Sequence, residues 1–200
     1  MTSPDINDLI RILARLPGVG PRSARRLALT LLEDREGMMK PLMLQMEKTY
    51  GNVRTCHTCG NLDASDPCMI CAGPRRNHEI VCVVQGIADI WAIERTRAYD
   101  GVYHVLGGVL SAIDGIKPDD LRIAELLERV AAGGVGEIVL ALSATVDGQT
   151  TAHYLTDRLT QMNVRITRLA HGMPVGGELD YLDDGTLTTA LRSRTAVKNA

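Results

Sequence analysis

The stretch EIVCVVQGIADIWAIERTRAYDGVYHVL, Glu79–Leu106, decides the fold. EIVCVV (79–84) is a short apolar run, the pattern of a strand buried on both faces. Residues 87–97 read as a helix, and VYHVL (102–106) as a second strand. The alternation continues downstream. PDDLRIAELLERVAAGG (118–134) reads as a helix with Pro118 near its start and glycines at its end. EIVLAL (137–142) is a third strand, 150–162 a helix, and RITRLA (165–170) a fourth strand. Strands alternating with helices predict an α/β fold with a parallel sheet covered by helices on both faces. The tail beyond it, HGMPVGGELDYLDDGTLTTALRSR, is Gly-rich and then weakly helical.

Upstream the pattern is helical. DINDLIRILARL (5–16) places Ile6, Leu9, Ile10, Leu13 and Leu16 at helical spacing, with Ser3 as N-cap and Pro4 at the first helical position. PGVGP stops that helix and Pro21 starts the next, whose apolar face is Ala24, Leu27, Ala28 and Leu31. A third helix is expected around 40–49.

Composition bounds the function. The 200 residues hold no Phe and one Trp, so aliphatic side chains and Met must fill the core. No apolar run approaches the roughly 20 residues of a membrane span. MTSPDINDLI lacks the basic start and apolar centre of a signal peptide. The expectation is a cytoplasmic chain with no membrane contact, in a reducing compartment where disulfides are rare. The net charge of −2 argues against a uniformly basic nucleic-acid binder. Residues 1–55, however, carry nine Lys and Arg against six Asp and Glu, so nucleic-acid contact is expected there, locally.

Between the helical and alternating parts lies CHTCGNLDASDPCMIC, which holds four of the five cysteines as Cys56, Cys59, Cys68 and Cys71. The spacing is C-x2-C-x8-C-x2-C. Each C-x-x-C turn presents two thiolates on one side of a tight bend, and two turns close the tetrahedron that Zn2+ requires. Two disulfides would contradict a reducing compartment, and a redox motif needs one pair beside a βαβ unit. With four protein thiolates no position is open for water or substrate, so one structural Zn2+ per chain is expected. Gly60 and Gly73 follow the second Cys of each pair, where a turn with positive φ would aim N–H groups at sulfur. Arg54, Arg75 and Arg76 flank the cluster and are expected to offset its formal charge of −2. His57 breaks the spacing and reads as a bystander. Cys82 lies inside an apolar strand and reads as a small buried hydrophobe.

LPGVGPRSARRLA (16–28) places Gly18 and Gly20 in a turn at a helix N-terminus, with Arg22, Arg25 and Arg26 just after it. Free N–H groups and the helix dipole favour an anion there, so this is a candidate phosphate site built mostly from backbone. The bland alternative is a helix connection with solvated arginines.

In a parallel sheet, chemistry belongs at the C-terminal ends of the strands. After the first strand stand Gln85 and Asp89; after the third, Ser143, Thr145, Asp147 and Gln149. Two carboxylates from two loops hold Mg2+ weakly at best, and serve equally as helix N-terminal charges. There is no P-loop, no dinucleotide fingerprint and no nucleophile motif. His78, His104, His153 and His171 have no metal spacing and read as structural.

Together these residues resemble a family. LPGVGPRSARRLA looks like a helix-hairpin-helix, the cysteines like a four-cysteine zinc finger, and Ile80 to about Ala170 like a Toprim domain. YHVLGGVLSAIDGI (103–116) and RLAHGMPVGGELDYLDDGTLTTAL (168–191) are similar to signatures of the RecR family of bacterial recombination mediators. The resemblance covers the whole chain, as a helix-hairpin-helix region (1–53), a zinc finger (54–78), a Toprim domain (79–172) and a C-terminal oligomerisation segment (173–200). It implies a non-enzymatic DNA-repair protein of the RecFOR pathway. Such proteins form ring-like or clamp-like tetramers on single- or double-stranded DNA, without sequence preference and associated with the nucleoid. They work with RecO and RecF to load RecA. By the same resemblance Arg22 and Arg26 match basic positions implicated in DNA contact, and the C-terminal segment packs between subunits.

Catalytic Toprim enzymes carry a Glu after the first strand and a D-x-D-x-E pattern after the third. Here those positions read Gln85, Ser143, Thr145 and Asp147, and relatives in the family usually keep the Glu where this chain has Gln85. That leaves too little negative charge for two Mg2+ ions and no general base, so the Toprim unit reads as a scaffold and docking surface. The competing functions are a Mg-dependent Toprim nuclease, primase or topoisomerase, and an adaptor that barely touches DNA. The zinc finger is expected to staple the DNA-binding hairpin to the larger α/β body.

Overall fold

The computed structural model describes residues 3–170, 173 and 176–193. The chain divides into two compact units, with the boundary between Val53 and Arg54.

The first unit is helical. Helix α1 (Pro4–Leu13) starts as expected, with Ser3 Oγ accepting from the Ile6 amide at 3.4 Å. It ends three residues before Leu16, because Arg15 and Leu16 bond three residues back and tighten the last turn. Gly18, at φ +77°, makes the bend that delivers Gly20 as the N-cap of α2 (Pro21–Glu33). Helices α1 and α2 pack on each other. Only Ala24 and Ala28 of α2 become fully buried, and Leu27, expected on that face, is 41% exposed. A five-residue π-helical turn, Arg35–Met39, leads into α3 (Lys40–Asn52), none of whose residues is buried. Leu42, Met43, Leu44 and Met46 stand exposed within this unit.

The second unit contains both the cysteine module and the sheet. A two-residue antiparallel ladder, β1 (Arg54–Thr55) with β2 (Leu62–Asp63), frames the first cysteine pair. The sheet follows as β3 (Asn77–Val84), β4 (Gly101–Val105), β5 (Glu137–Ala141) and β6 (Arg165–Arg168). The spatial order is β4-β3-β5-β6 and every pairing is parallel. The connecting helices are α4 (Ile87–Thr96), α5 (Ile123–Ala131) and α6 (Val146–Leu159).

Both faces of the sheet are covered, which explains why EIVCVV is apolar without alternation. Val81 and Val83 face a core built with Ile123, Leu126 and Val130 of α5 and Leu155 and Leu159 of α6. Cys82 and Val84 face the other side with Ile90 of α4, Tyr103 and Val105. Cys82 is 2% exposed and burial pushes its thiol pKa up to about 12, so it is the expected inert hydrophobe. The helix expected from Pro118 begins later. Pro118–Asp120 form only a 3-10 turn, Leu121 is extended, and α5 starts at Ile123. Beyond the sheet, α7 (Asp184–Arg192) is capped by Asp183, whose carboxylate accepts from the Thr186 amide at 3.0 Å.

Strand β4 is an edge strand, yet all five of its residues are buried. Three of its outward peptide groups have partners from other parts of the chain. Arg76 Nη1 donates to the Gly101 carbonyl at 3.2 Å, Arg129 Nη1 to the Tyr103 carbonyl at 2.8 Å, and the Val105 amide donates to the Cys59 carbonyl at 2.7 Å. Edge groups covered this way offer no template to another strand.

His104 of β4 is fully buried, with its Nε2 2.7 Å from the Arg122 carbonyl and its Nδ1 without a partner. Burial pushes its pKa down to about 4 from an ordinary 6.5. The unfolded chain therefore binds this proton more readily than the folded one. The stabilisation from neutral His104 is complete above pH 6.5 and is lost as pH falls towards 4, worth about 3 kcal/mol in all. Urea unfolding across pH 7 to 4 should show this slope in the wild type. His104→Gln should lower stability at pH 7 and remove that part of the slope.

Candidate zinc centre and nucleic-acid interface

Among the described residues, one group could hold a metal: Cys56, Cys59, Cys68 and Cys71, whose four sulfurs lie within 4.8 Å of one another. The Cys59 and Cys68 sulfurs are 3.6 Å apart. Zn–S bonds of about 2.3 Å in a tetrahedron place sulfurs about 3.8 Å apart, so the cluster closes on Zn2+ with small movements. Backbone amides already point at the sulfurs. Asn61 N–H donates to Cys59 Sγ at 3.4 Å, Cys68 N–H to Cys56 Sγ at 3.4 Å and Cys71 N–H to Cys68 Sγ at 3.5 Å. These bonds favour the thiolate form. A hydrogen bond from Cys71 draws the Cys59 thiol pKa well below its usual value and raises that of Cys71, while burial raises Cys68. Four thiolates together need a cation, and the set supplies four sulfur ligands with no open position.

The turn at Gly60 has the positive φ expected of it, +82°. Gly73 does not, and it is glycine for another reason. A Cβ there would meet Arg76 Cγ at 3.0 Å and the Met69 carbonyl at 3.1 Å. His57 is outside the ligand set; its Nδ1 lies 2.7 Å from Asp66 Oδ1.

Of the flanking arginines, Arg76 differs from expectation. Arg76 forks onto Glu94, which also accepts from the Tyr103 hydroxyl at 2.6 Å, and it serves the edge of β4 instead of the sulfurs. The Arg76 guanidinium holds the Glu94 carboxyl below the usual carboxylate range. Arg54 and Arg75 are exposed.

At the other candidate site, α2 begins at Gly20 and Pro21 with no side-chain cap. Arg22, Arg25 and Arg26 are all exposed on its first turns. No Cβ at Gly18 or Gly20 would meet any atom within 4 Å, so the backbone here is open to approach.

The strand-end positions are occupied by capping. Asp89 Oδ2 accepts from the Gly86 amide at 2.9 Å and closes the start of α4. Thr145 is the N-cap of α6, its Oγ1 accepting from Gly148 N–H at 3.1 Å, and Ser143 Oγ lies 2.8 Å from that hydroxyl. Asp147 is in the first turn of α6. Gln85 follows β3 with its Oε1 buried and unpartnered. A cavity of about 390 Å³ near the ends of β5 and β6 is lined by Ser143, Gln149, His153, Thr156 and Arg168, with no carboxylate among its residues. His78 and His153 are exposed, and His171 lies outside the described residues.

Family comparisons follow the same order as this architecture. A RecR helix-hairpin-helix model matches residues 6–48, a RecR four-cysteine zinc finger model 53–73, a Toprim domain model 79–170 and a RecR C-terminal model 172–195. A recombination protein RecR from Rhizorhabdus wittichii is 56% identical over 197 residues, covering 98% of this chain and 100% of that protein. This chain belongs to the RecR family. The RecR of Maricaulis maris is 59% identical over 194 residues, 97% of this chain and 96% of the relative. That of Mesorhizobium japonicum is 57% identical over 196 residues, 98% of each. Cys56, Cys59, Cys68 and Cys71 are thus a RecR-type zinc finger holding a structural zinc.

Sequence reasoning missed Arg122, which reaches the finger, and Arg129, which joins Arg76 at the β4 edge. Both sit in an ordinary amphipathic stretch, and nothing local marks them; only the strand order brings them to these places. Elemental analysis should find one zinc per chain, and Cys68→Ser should lose most of it, together with a lower thermal midpoint.

Proposed function

We propose that this chain is a non-enzymatic, DNA-binding recombination mediator of the RecFOR pathway. It would close as a self-associated clamp on DNA and help RecO and RecF load RecA at gaps and breaks. The observation that carries this reading is the open Gly18–Gly20 turn feeding an uncapped α2 with three exposed arginines. Such a site binds phosphates through backbone amides and charge, without reading bases. One such turn binds weakly, and several subunits on one duplex would add their contacts. The exposed apolar side chains of α3, and an α7 without a buried residue, support self-association.

The Toprim unit supports the reading as a scaffold. Of the positions where catalytic Toprim enzymes carry acids, Gln85, Ser143 and Thr145 are neutral, Thr145 caps α6, and Asp147 alone keeps a carboxylate, so two-metal chemistry lacks its ligands. With Gln85 in place of a Glu, any docking of RecO here would proceed without that charge.

Gel retardation on supercoiled, linear and gapped DNA with Mg2+, across a salt series, tests the proposal. The expected result is shifted, chemically unchanged DNA, with the shift lost steeply at high salt. Arg22→Glu with Arg26→Glu should abolish the shift at unchanged circular dichroism. A normal shift by that variant would refute the hairpin assignment. Cleaved, relaxed or extended products that vanish in Asp147→Ala would show an enzyme instead, and neither shift nor products would show an adaptor.

A further inference from the structure

The geometry points to Arg122 as a positioning residue of the zinc centre. It acts as the cation that clasps the finger and offsets its thiolate charge, tying zinc retention to the sheet.

The side chain of Arg122 leaves the turn before α5 and lies against the finger backbone. Its Nη2 donates to the His57 carbonyl at 3.1 Å, between the first two zinc ligands. Its Nη1 is 3.1 Å from where a Cβ would stand on Gly60, the residue after Cys59. That Cβ would also meet Val105 Cβ at 3.2 Å and the Val105 carbonyl at 3.3 Å. Gly60 is therefore confined between Arg122 and β4 as well as held at positive φ.

The same residue is fixed to the sheet from its own backbone. Its amide donates to the Leu106 carbonyl at 2.9 Å, and its carbonyl faces His104 Nε2 at 2.7 Å. Arg122 thus spans from the end of β4 to the first cysteine turn.

Charge gives the contact its purpose. A zinc ion with four thiolates carries a formal −2. Arg76, the nearest arginine in sequence to be drawn inward, is committed to Glu94. Arg122 is mostly buried, and its one carboxylate neighbour, Glu125, is 3.6 Å from Nε and half exposed. That distance is too long for a hydrogen bond, so Nε is buried without a partner. An unpartnered buried cationic donor is costly by itself. Beside a dianionic zinc–thiolate centre that cost is offset, because the field of the cluster favours the guanidinium. Residues that support metal ligands from outside the coordination sphere typically change affinity by about 10–100-fold when removed.

The test compares zinc release from full-length wild type and Arg122→Met to a metallochromic chelator, and the thermal midpoints of the zinc-loaded and zinc-stripped forms. Release should be about tenfold faster in R122M. The midpoint should fall in the zinc-loaded form and stay unchanged in the stripped form. Release at the wild-type rate, or an equal loss of midpoint in both forms, would make Arg122 an ordinary packing residue and overturn the proposal. If R122M does not accumulate folded, Glu125→Gln decides. That exposed substitution removes the competing carboxylate, and release should slow; unchanged or faster release overturns the assignment.

Discussion

Strand β4 could not stand at the edge of its sheet with bare peptide groups. The bond from the Val105 amide to the Cys59 carbonyl answers this constraint, and much of the second unit is arranged around it. Arg76 and Arg129 take the carbonyls of Gly101 and Tyr103. Ile70 packs against both the cysteine cluster and the sheet core on the α4 side. The zinc finger is therefore part of how the parallel sheet ends. A folded finger presents a fixed carbonyl to Val105, and four thiolates can hold that fold only around a cation. Metal binding is thereby coupled to the β4 edge through this bond.

This changes the meaning of the cysteines. From spacing alone they read as a staple for the DNA-binding hairpin. The structure gives them a partner inside the larger unit, and Arg122 a place between the two. Arg122 is partly buried there, with its Nη2 on the finger backbone. The strand ends are set by local capping. Asp89 and Thr145 are occupied with helix starts, and Gln85 is neutral.

Much of this was legible in the sequence, because it rests on local patterns. The apolar runs at 79–84 and 137–142 fixed the strands, and two C-x-x-C pairs fixed the metal. Ser3, Pro4 and Gly18 marked helix ends through backbone preferences that act over three or four residues. What escaped reading depends on tertiary approach. Gly73 looked like a turn residue with positive φ but instead sits where Arg76 and two carbonyls crowd any Cβ. Arg76 looked like a counter-charge for zinc, and a bidentate fork onto Glu94 takes it elsewhere. Leu27 fits the helical period of α2, yet only the alanines reach close enough to α1 to be buried. Pro118 signalled a helix start, but the chain uses it for one 3-10 turn that brings Arg122 to the finger.

Hydrogen exchange on the full-length protein, with and without chelation, tests the central claim most directly. If the zinc finger closes the sheet, removing zinc should deprotect amides of residues 101–106, Val105 foremost, and leave the α1 and α2 amides as they were. Unchanged protection along β4, or loss confined to residues 3–53, would contradict the account and return the zinc to the role of a staple for the hairpin.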